Sequence, residues 1–226
     1  MKKYLAQADL LRDCLPAVSG TIIDVGCGNG DTVRWLAAQG ARAIGLDGPE
    51  MLAKTRSLPR AGAEEYVAGT AQKLPFAGES ADAVIFQASF HHVPAVAMAE
   101  AARECRRVLK CGGRAVFVEP VYRAGAYSEV TRLVEDEEDF LKKACSTIVS
   151  LAGSGMTMEK EVFFYLERSF ADYVRLLEWS VNDAARREAI LARARKITEE
   201  FSAAAGVDFA AFRYRSVCRL NVLVKE

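Results

Sequence analysis

Several things are scarce in this 226-residue chain. Net charge is absent: 30 Lys and Arg balance 30 Asp and Glu, so no overall field draws in nucleic acid or an anionic membrane. Histidine is confined to the adjacent pair His91 and His92, which leaves few means of building a His/Cys zinc site, and no metal site is expected. The six cysteines, at positions 14, 27, 105, 111, 145 and 218, form no C-x-x-C pair. Scattered thiols in a chain of this size read as reduced, mostly buried groups of a cytoplasmic protein. Long apolar runs are missing too. Gln7, Asp9 and Arg12 interrupt the N-terminus before a signal-peptide core can form, and no window approaches the roughly 18 apolar residues of a membrane helix. No repeat, low-complexity tract or Gly/Ser linker occurs.

What is present is a core. Hydrophobic residues make up 51% of the chain, enough to exclude wholesale disorder and to fill one large domain. The first half alternates strand and helix periods. Strands are predicted at 21–25, 41–46, 66–68, 82–87 and 114–119, with helices at 31–39, 50–57 and 95–109 between them. That rhythm implies an α/β, doubly wound, mostly parallel sheet with right-handed crossovers. From Tyr122 to about Ala205 the pattern turns mainly helical, with one short strand at Glu161–Leu166, and the chain ends in a β-rich segment, Ser216–Val224. We read one domain with a late helical elaboration.

The segment Asp24-Val25-Gly26-Cys27-Gly28-Asn29-Gly30 lies between the first strand and the first helix. Glycines there let backbone approach a ligand closely at the carboxyl edge of the sheet, where open α/β sheets bind. Asp47 ends the next strand, where a carboxylate can accept both hydroxyls of a ribose. A dinucleotide fingerprint would need its third glycine where Asp31 stands. Acids at Asp31 and Asp24 oppose a pyrophosphate and suit a cofactor carrying an ammonium and a sulfonium.

Three segments now stand in order: Ile23 to Gly30; Ile44-Gly45-Leu46-Asp47; and Gly69-Thr70-Ala71-Gln72-Lys73-Leu74-Pro75-Phe76 running into Asp82 to Phe86. Together they resemble the class I S-adenosylmethionine-dependent methyltransferases, in particular the small-molecule branch with the ubiquinone/menaquinone-type enzymes. The likeness covers roughly Leu15 to Glu119 and the terminal strand. It implies a seven-stranded, Rossmann-like sheet and S-adenosylmethionine as cofactor. It also implies a division into an N-terminal helix (1–20), a cofactor-binding half (21–120), a substrate-covering, mainly helical part (121–212) and a terminal strand (213–226). By the same resemblance Asp24 anchors the methionine amino end, Gly26, Cys27 and Gly28 admit the cofactor, and Asp47 with Gly48 meets the ribose. Ala71 and Gln72 border the adenine, and Gln87 lies beneath the methionine. Thr70 stands where the branch often carries Asp, and Gln72 where it often carries Glu.

Methyl transfer from a sulfonium is an in-line displacement whose reagent is already activated, so no catalytic triad is required. An acceptor that must lose a proton needs a base, for which His91, His92, Glu119 and Tyr122 are the candidates at the ligand edge. A packing role for the histidines and a turn role for Glu119 and Tyr122 stand beside that reading. Tyr127, Tyr165, Tyr173, Trp179 and Tyr214 are candidates for an apolar acceptor cavity or for plain core. Arg103, Arg106 and Arg107 read as a solvated helix face. No Pro-Pro dipeptide occurs, hence no N/D-P-P-Y segment after the fourth strand, which favours a small-molecule acceptor over nucleic acid. A catalytically silent S-adenosylmethionine-binding protein remains the alternative. A nicotinamide oxidoreductase is opposed by the missing third glycine and the absence of Tyr-x-x-x-Lys.

Overall fold

The computed structural model describes residues 2–4, 7–15, 20–122 and 125–226. Its centre is a run of short, β-branched segments buried on both faces: β2 (Thr21–Val25), β3 (Arg42–Asp47), β5 (Ala81–Gln87) and the distal part of β6 (Leu109–Pro120). Such strands suit a parallel sheet covered by helices on both sides. β4 (Glu65–Ala68) closes one edge. On the other side lie the antiparallel β8 (Tyr214–Lys225), then β7 (Met156–Arg168) and β1 (Lys2–Tyr4), in the order β4-β3-β2-β5-β6-β8-β7-β1. Every pairing outside β8 is parallel.

The expected mostly parallel, Rossmann-like sheet is present, and among the described residues Lys2–Tyr4 adds a short eighth strand at its edge to the expected seven. The N-terminal helix is present as α1 (Gln7–Cys14) behind that strand. The late segment is less helical than its composition implied. β7 runs thirteen residues instead of the six expected at Glu161–Leu166. Its proximal charges masked it, and they are paired across the sheet: Arg114 grips both oxygens of Glu159 at 2.8 and 2.9 Å, and Asn221 donates to Glu161 at 3.0 Å.

The helices form two layers and a cap. α1, α2 (Asp31–Ala38) and α3 (Pro49–Thr55) pack Leu10, Leu11, Val33, Leu36 and Leu52 against Ile22, Ile85 and Val116. On the opposite face α4 (Met98–Val108) and α6 (Glu138–Leu151) bury Met98, Cys105, Ala144 and Ile148 against Val84, Phe86 and Phe117. A third cluster joins α5 (Ala126–Thr131), α7 (Phe170–Ser180) and α8 (Ala184–Ala204) around Val130, Tyr173, Leu177, Ala194 and Tyr214. α7 begins at a capping box formed by Ser169 and Asp172, and α8 is capped by Asp183.

Strand direction fixes where that third cluster sits. β2, β3, β5, β6 and β7 all end at the same edge of the sheet, and α5, α7 and α8 are connected to the ends of β6 and β7. The cap therefore stands at the carboxyl edge, the side on which such sheets bind ligands. α6, by contrast, is a layer helix. No described helix is long and apolar enough to cross a membrane.

Candidate active site

β2 ends in a turn that only glycine can form. Gly26 has φ 73°, and a Cβ there would lie 2.6 Å from Cβ of Ser89. Gly30 has φ 80° and would meet the Tyr66 hydroxyl at 2.5 Å. The amides of Gly26 and Cys27 both donate to the Leu46 carbonyl, at 2.8 and 3.1 Å, which bends the turn back over β3. Asp47 then closes it: one carboxylate oxygen accepts from the Gly28 amide at 2.8 Å, the other from the Gly48 amide at 2.7 Å. Thr55 reaches from α3 to the Gly28 carbonyl at 2.6 Å.

Strand alternation aims three expected residues at one face. Asp24 pairs with Gly45 on β3 and with Ile85 on β5, so Asp24, Asp47 and Gln87 point to the α2 side. Asp24 is buried, and its pKa is pushed up from 3.8 to about 7, first by loss of water and second by the charge of Asp47. Its Oδ1 has no hydrogen-bond partner, and neither does the buried Oε1 of Gln87. Two unsatisfied acceptors at neighbouring strand ends are costly unless a donor arrives.

The other expected residues fall as follows. The Cys27 side chain packs in the α1–α3 layer, with Sγ 2.8 Å from where a Cβ at Gly45 would be. Burial, then the charges of Asp24 and Asp47, push its thiol up, so it carries no nucleophile. Ala71 is buried and Gln72 half-buried on the segment after β4. That segment is tied to α4 by Glu104, which accepts from the Leu74 amide at 2.9 Å, and by Arg107, which donates to the Phe76 and Leu74 carbonyls at 2.9 and 3.1 Å. Arg107 is thus more than a solvated side chain, while Arg103 and Arg106 are exposed as expected.

Past β5 the chain turns sharply at Ala88, a non-glycine residue at φ 48°. Ser89 follows and donates to the Val25 carbonyl at 2.6 Å, locking this turn against the glycine turn. Residues Phe90–His92 form one 3-10 turn, and α6 packs on it. Glu119, at the end of β6, accepts from the amides of Ser89 and Phe90 at 3.3 and 2.9 Å through one oxygen. Its other oxygen holds Nδ1 of His91. Nε2 of His91 lies 3.7 Å from Glu137, just before α6. Burial works to lower the His91 pKa, but the hydrogen bond its ring donates to Glu119 and the charge of Glu137 outweigh it and push it up to about 9. His92 is exposed and moves the other way, lowered by desolvation and by the charge of its neighbour. Tyr122 is occupied: the Arg132 guanidinium lies 4.9 Å from its ring centroid and donates to its hydroxyl.

Of the five aromatics expected to line a cavity, two are core and two are half-buried. Tyr173 and Tyr214 are 1% exposed, with hydroxyls held by the Val130 carbonyl and by Thr198. Tyr127 packs against Tyr214, and Tyr165 sits beneath Arg215. The side chain of Trp179 lies outside the described residues. Glu137, Ser89 and Thr55 were missed. Only the acidic run 135–139 hinted at the first, and nothing local marks the other two. A cavity of about 330 Å³ lined by Gly20, Asp82, Lys110 and Arg114 lies at the opposite, amino edge, away from all these groups.

This strand order, with one reversed strand and a glycine turn facing an acid at the end of the next strand, defines a Rossmann-like methyltransferase fold. Residues 23–117 match the methyltransferase domain family. A demethylmenaquinone methyltransferase of Chlorobaculum parvum is 39% identical over 103 residues, covering 44% of this chain and 41% of that protein. An uncharacterized methyltransferase of Mycobacterium tuberculosis is 38% identical over 103 residues, covering 44% and 40%. The match thus spans about two fifths of these relatives' own length. Among solved structures, the YcgJ protein of Bacillus subtilis superposes with a TM-score of 0.66 at 18% identity, over 97% of both chains. A geranyl diphosphate methyltransferase in complex with SAM superposes with a TM-score of 0.57 at 16% identity, over 97% of this chain and 84% of the other. At such identities the likeness is one of fold.

Proposed function

We propose that the protein transfers a methyl group from S-adenosylmethionine to a small organic acceptor. The observation that carries this reading is the pair of orphaned acceptors, Asp24 Oδ1 and Gln87 Oε1, buried beside a glycine turn already closed by Asp47. An α-ammonium supplies the donors these oxygens lack and the positive charge that would ionise Asp24. A pyrophosphate supplies neither.

The residues present therefore fit the cofactor. Asp24 and Gln87 would hold its amino-acid end, Gly26 and Gly28 would give it close backbone contact, and Asp47 with Gly48 would meet the ribose. Ala71 and Gln72 would border the base. S-adenosylmethionine brings a methyl group already activated on a sulfonium; the chain has only to align the acceptor and exclude water. α5, α7 and α8 are the material available for exclusion at that edge, and we assign them the covering role.

The polar side of the acceptor site would be the Phe90–His92 turn. His91 is held between two carboxylates, Glu119 is committed to two amides and an imidazole, and Tyr122 is bound by Arg132. His92 is left as the group that meets an acceptor. Calorimetry with S-adenosylhomocysteine and with NAD tests the cofactor. Release of S-adenosylhomocysteine on incubation with a metabolite pool tests turnover and separates an enzyme from a silent binder. Binding of NAD without a signal for S-adenosylhomocysteine would overturn the proposal.

A further inference from the structure

We propose that His91, His92 and Glu137 form a divalent-cation site of the zinc or cobalt type, through which His92 meets the acceptor. Each of the three offers one ligand atom, and these atoms all lie within 4.8 Å of one another. Two imidazoles and one carboxylate are a donor set that borderline first-row ions take, with positions left for outside ligands.

Three features of the geometry favour an ion over a simple ion pair. The first is the distance of 3.7 Å between His91 Nε2 and Glu137, too long for a hydrogen bond. Two ligands at about 2.0 Å from one tetrahedral ion sit roughly 3.3 Å apart, so this pair is close to ligation spacing. The second is the far side of the ring. Nδ1 of His91 is engaged by Glu119, whose other oxygen is fixed by the amides of Ser89 and Phe90. A carboxylate behind a histidine, locking its tautomer and presenting the opposite nitrogen outward, is the support that metal-bound histidines usually have. The third is charge. Glu119 and Glu137 converge on one imidazole, and a proton there balances only one of them, whereas a divalent ion balances both. Arg219, the buried cation across from Glu119 on β8, points its guanidinium at Cys145 instead.

Closing the set requires His92 to swing inward, which its exposure permits. The site would remain open on that side to an oxygen of the acceptor. Ser89 ties the same turn to Val25 and so to the cofactor side of the edge. If the methyltransferase reading holds, the acceptor class this points to is a hydroxyl or phenol, whose proton a bound cation makes easier to lose.

Cobalt(II) titration of the full chain tests the site, read by visible absorption. One equivalent should bind with the spectrum of nitrogen and oxygen ligands and without the charge-transfer band of a thiolate. His92→Ala and Glu137→Gln should each weaken binding at least tenfold. Glu119→Gln should weaken it by about 10–100-fold at unchanged stoichiometry, as loss of a supporting carboxylate does. Circular dichroism confirms folding, and exposed His92 offers a variant that leaves the core intact. Failure to bind one equivalent, a sulfur-type spectrum, or affinity unchanged in both His92→Ala and Glu137→Gln would overturn the inference. Calorimetry of S-adenosylhomocysteine on the same wild-type sample judges the methyltransferase reading separately.

Discussion

Asp24 is the residue at which stability and binding should pull in opposite directions. The perturbation is Asp24→Asn, which keeps the size of the side chain and removes its charge. Burial and Asp47 move the pKa from 3.8 to about 7, so holding the charged form in the folded protein at pH 8 costs roughly 4 kcal/mol at 1.36 kcal/mol per pH unit. The sign follows directly. Between pH 4 and pH 7 the folded protein binds the Asp24 proton more tightly than the unfolded chain does, so this residue's contribution falls as pH rises through that window. The neutral Asn is immune to that loss.

Because the Asn amide must also be accommodated among buried groups, we expect about half of the penalty back, near 2 kcal/mol. For a domain of this size that is a rise in Tm of about 4–8 °C at pH 8. The gain should shrink as pH falls below 7 and vanish near pH 4. Affinity for S-adenosylhomocysteine should move the other way, dropping by about 1.5–3 kcal/mol, the scale of a hydrogen bond to a charged group. Thermal melts across pH, paired with calorimetry at pH 8, read both. A lower Tm at pH 8, a gain that ignores pH, or unchanged affinity would refute the reasoning.

Wild-type affinity for S-adenosylhomocysteine should itself rise about tenfold per pH unit below 7 and level off above it, as Asp24 becomes charged; calorimetry from pH 5 to 9 shows whether it does. Asp47→Ala should weaken that ligand by about 2–3 kcal/mol, since it removes ribose contacts and also frees the Gly28 and Gly48 amides. A folded Asp47→Ala variant with wild-type affinity would exclude the ribose assignment. Gly26→Ala should cost about 2 kcal/mol or more, from left-handed backbone strain and the 2.6 Å approach to Ser89. Adding Ser89→Gly should recover the steric part of that loss in a denaturant melt, and no recovery would show the clash to be imaginary. Leu177→Ala empties the centre of the α5/α7/α8 cluster at about 2–5 kcal/mol. Hydrogen exchange should then speed up in those helices and not in β2, β3 or β5, and acceptor turnover should fall more than cofactor affinity.

The cofactor side of the site was legible in the residues because its chemistry is local. Gly26, Gly28 and Gly30 sit within five positions, Asp47 follows at the end of the next strand, and the strand periods around them alternate plainly. A turn that needs left-handed backbone must show its glycines in the sequence, and a buried parallel strand must show its β-branched run. The late half obeys no such rule. The first part of β7, ahead of the expected strand at Glu161–Leu166, did not read as strand because the charge of Glu159 is neutralised by a residue elsewhere in the chain, Arg114 on β6. Tyr173 and Tyr214 could have lined a cavity or filled a core, and the contact between α5, α7 and α8 decided for core. The acceptor side was equally hidden. His91 is next to His92 in sequence, yet its environment is made by Glu119, 28 positions away, and by Glu137 on a segment whose docking no periodicity encodes. Backbone conformation is written in neighbouring residues, whereas the partner of a buried charge depends on which distant elements the core brings together.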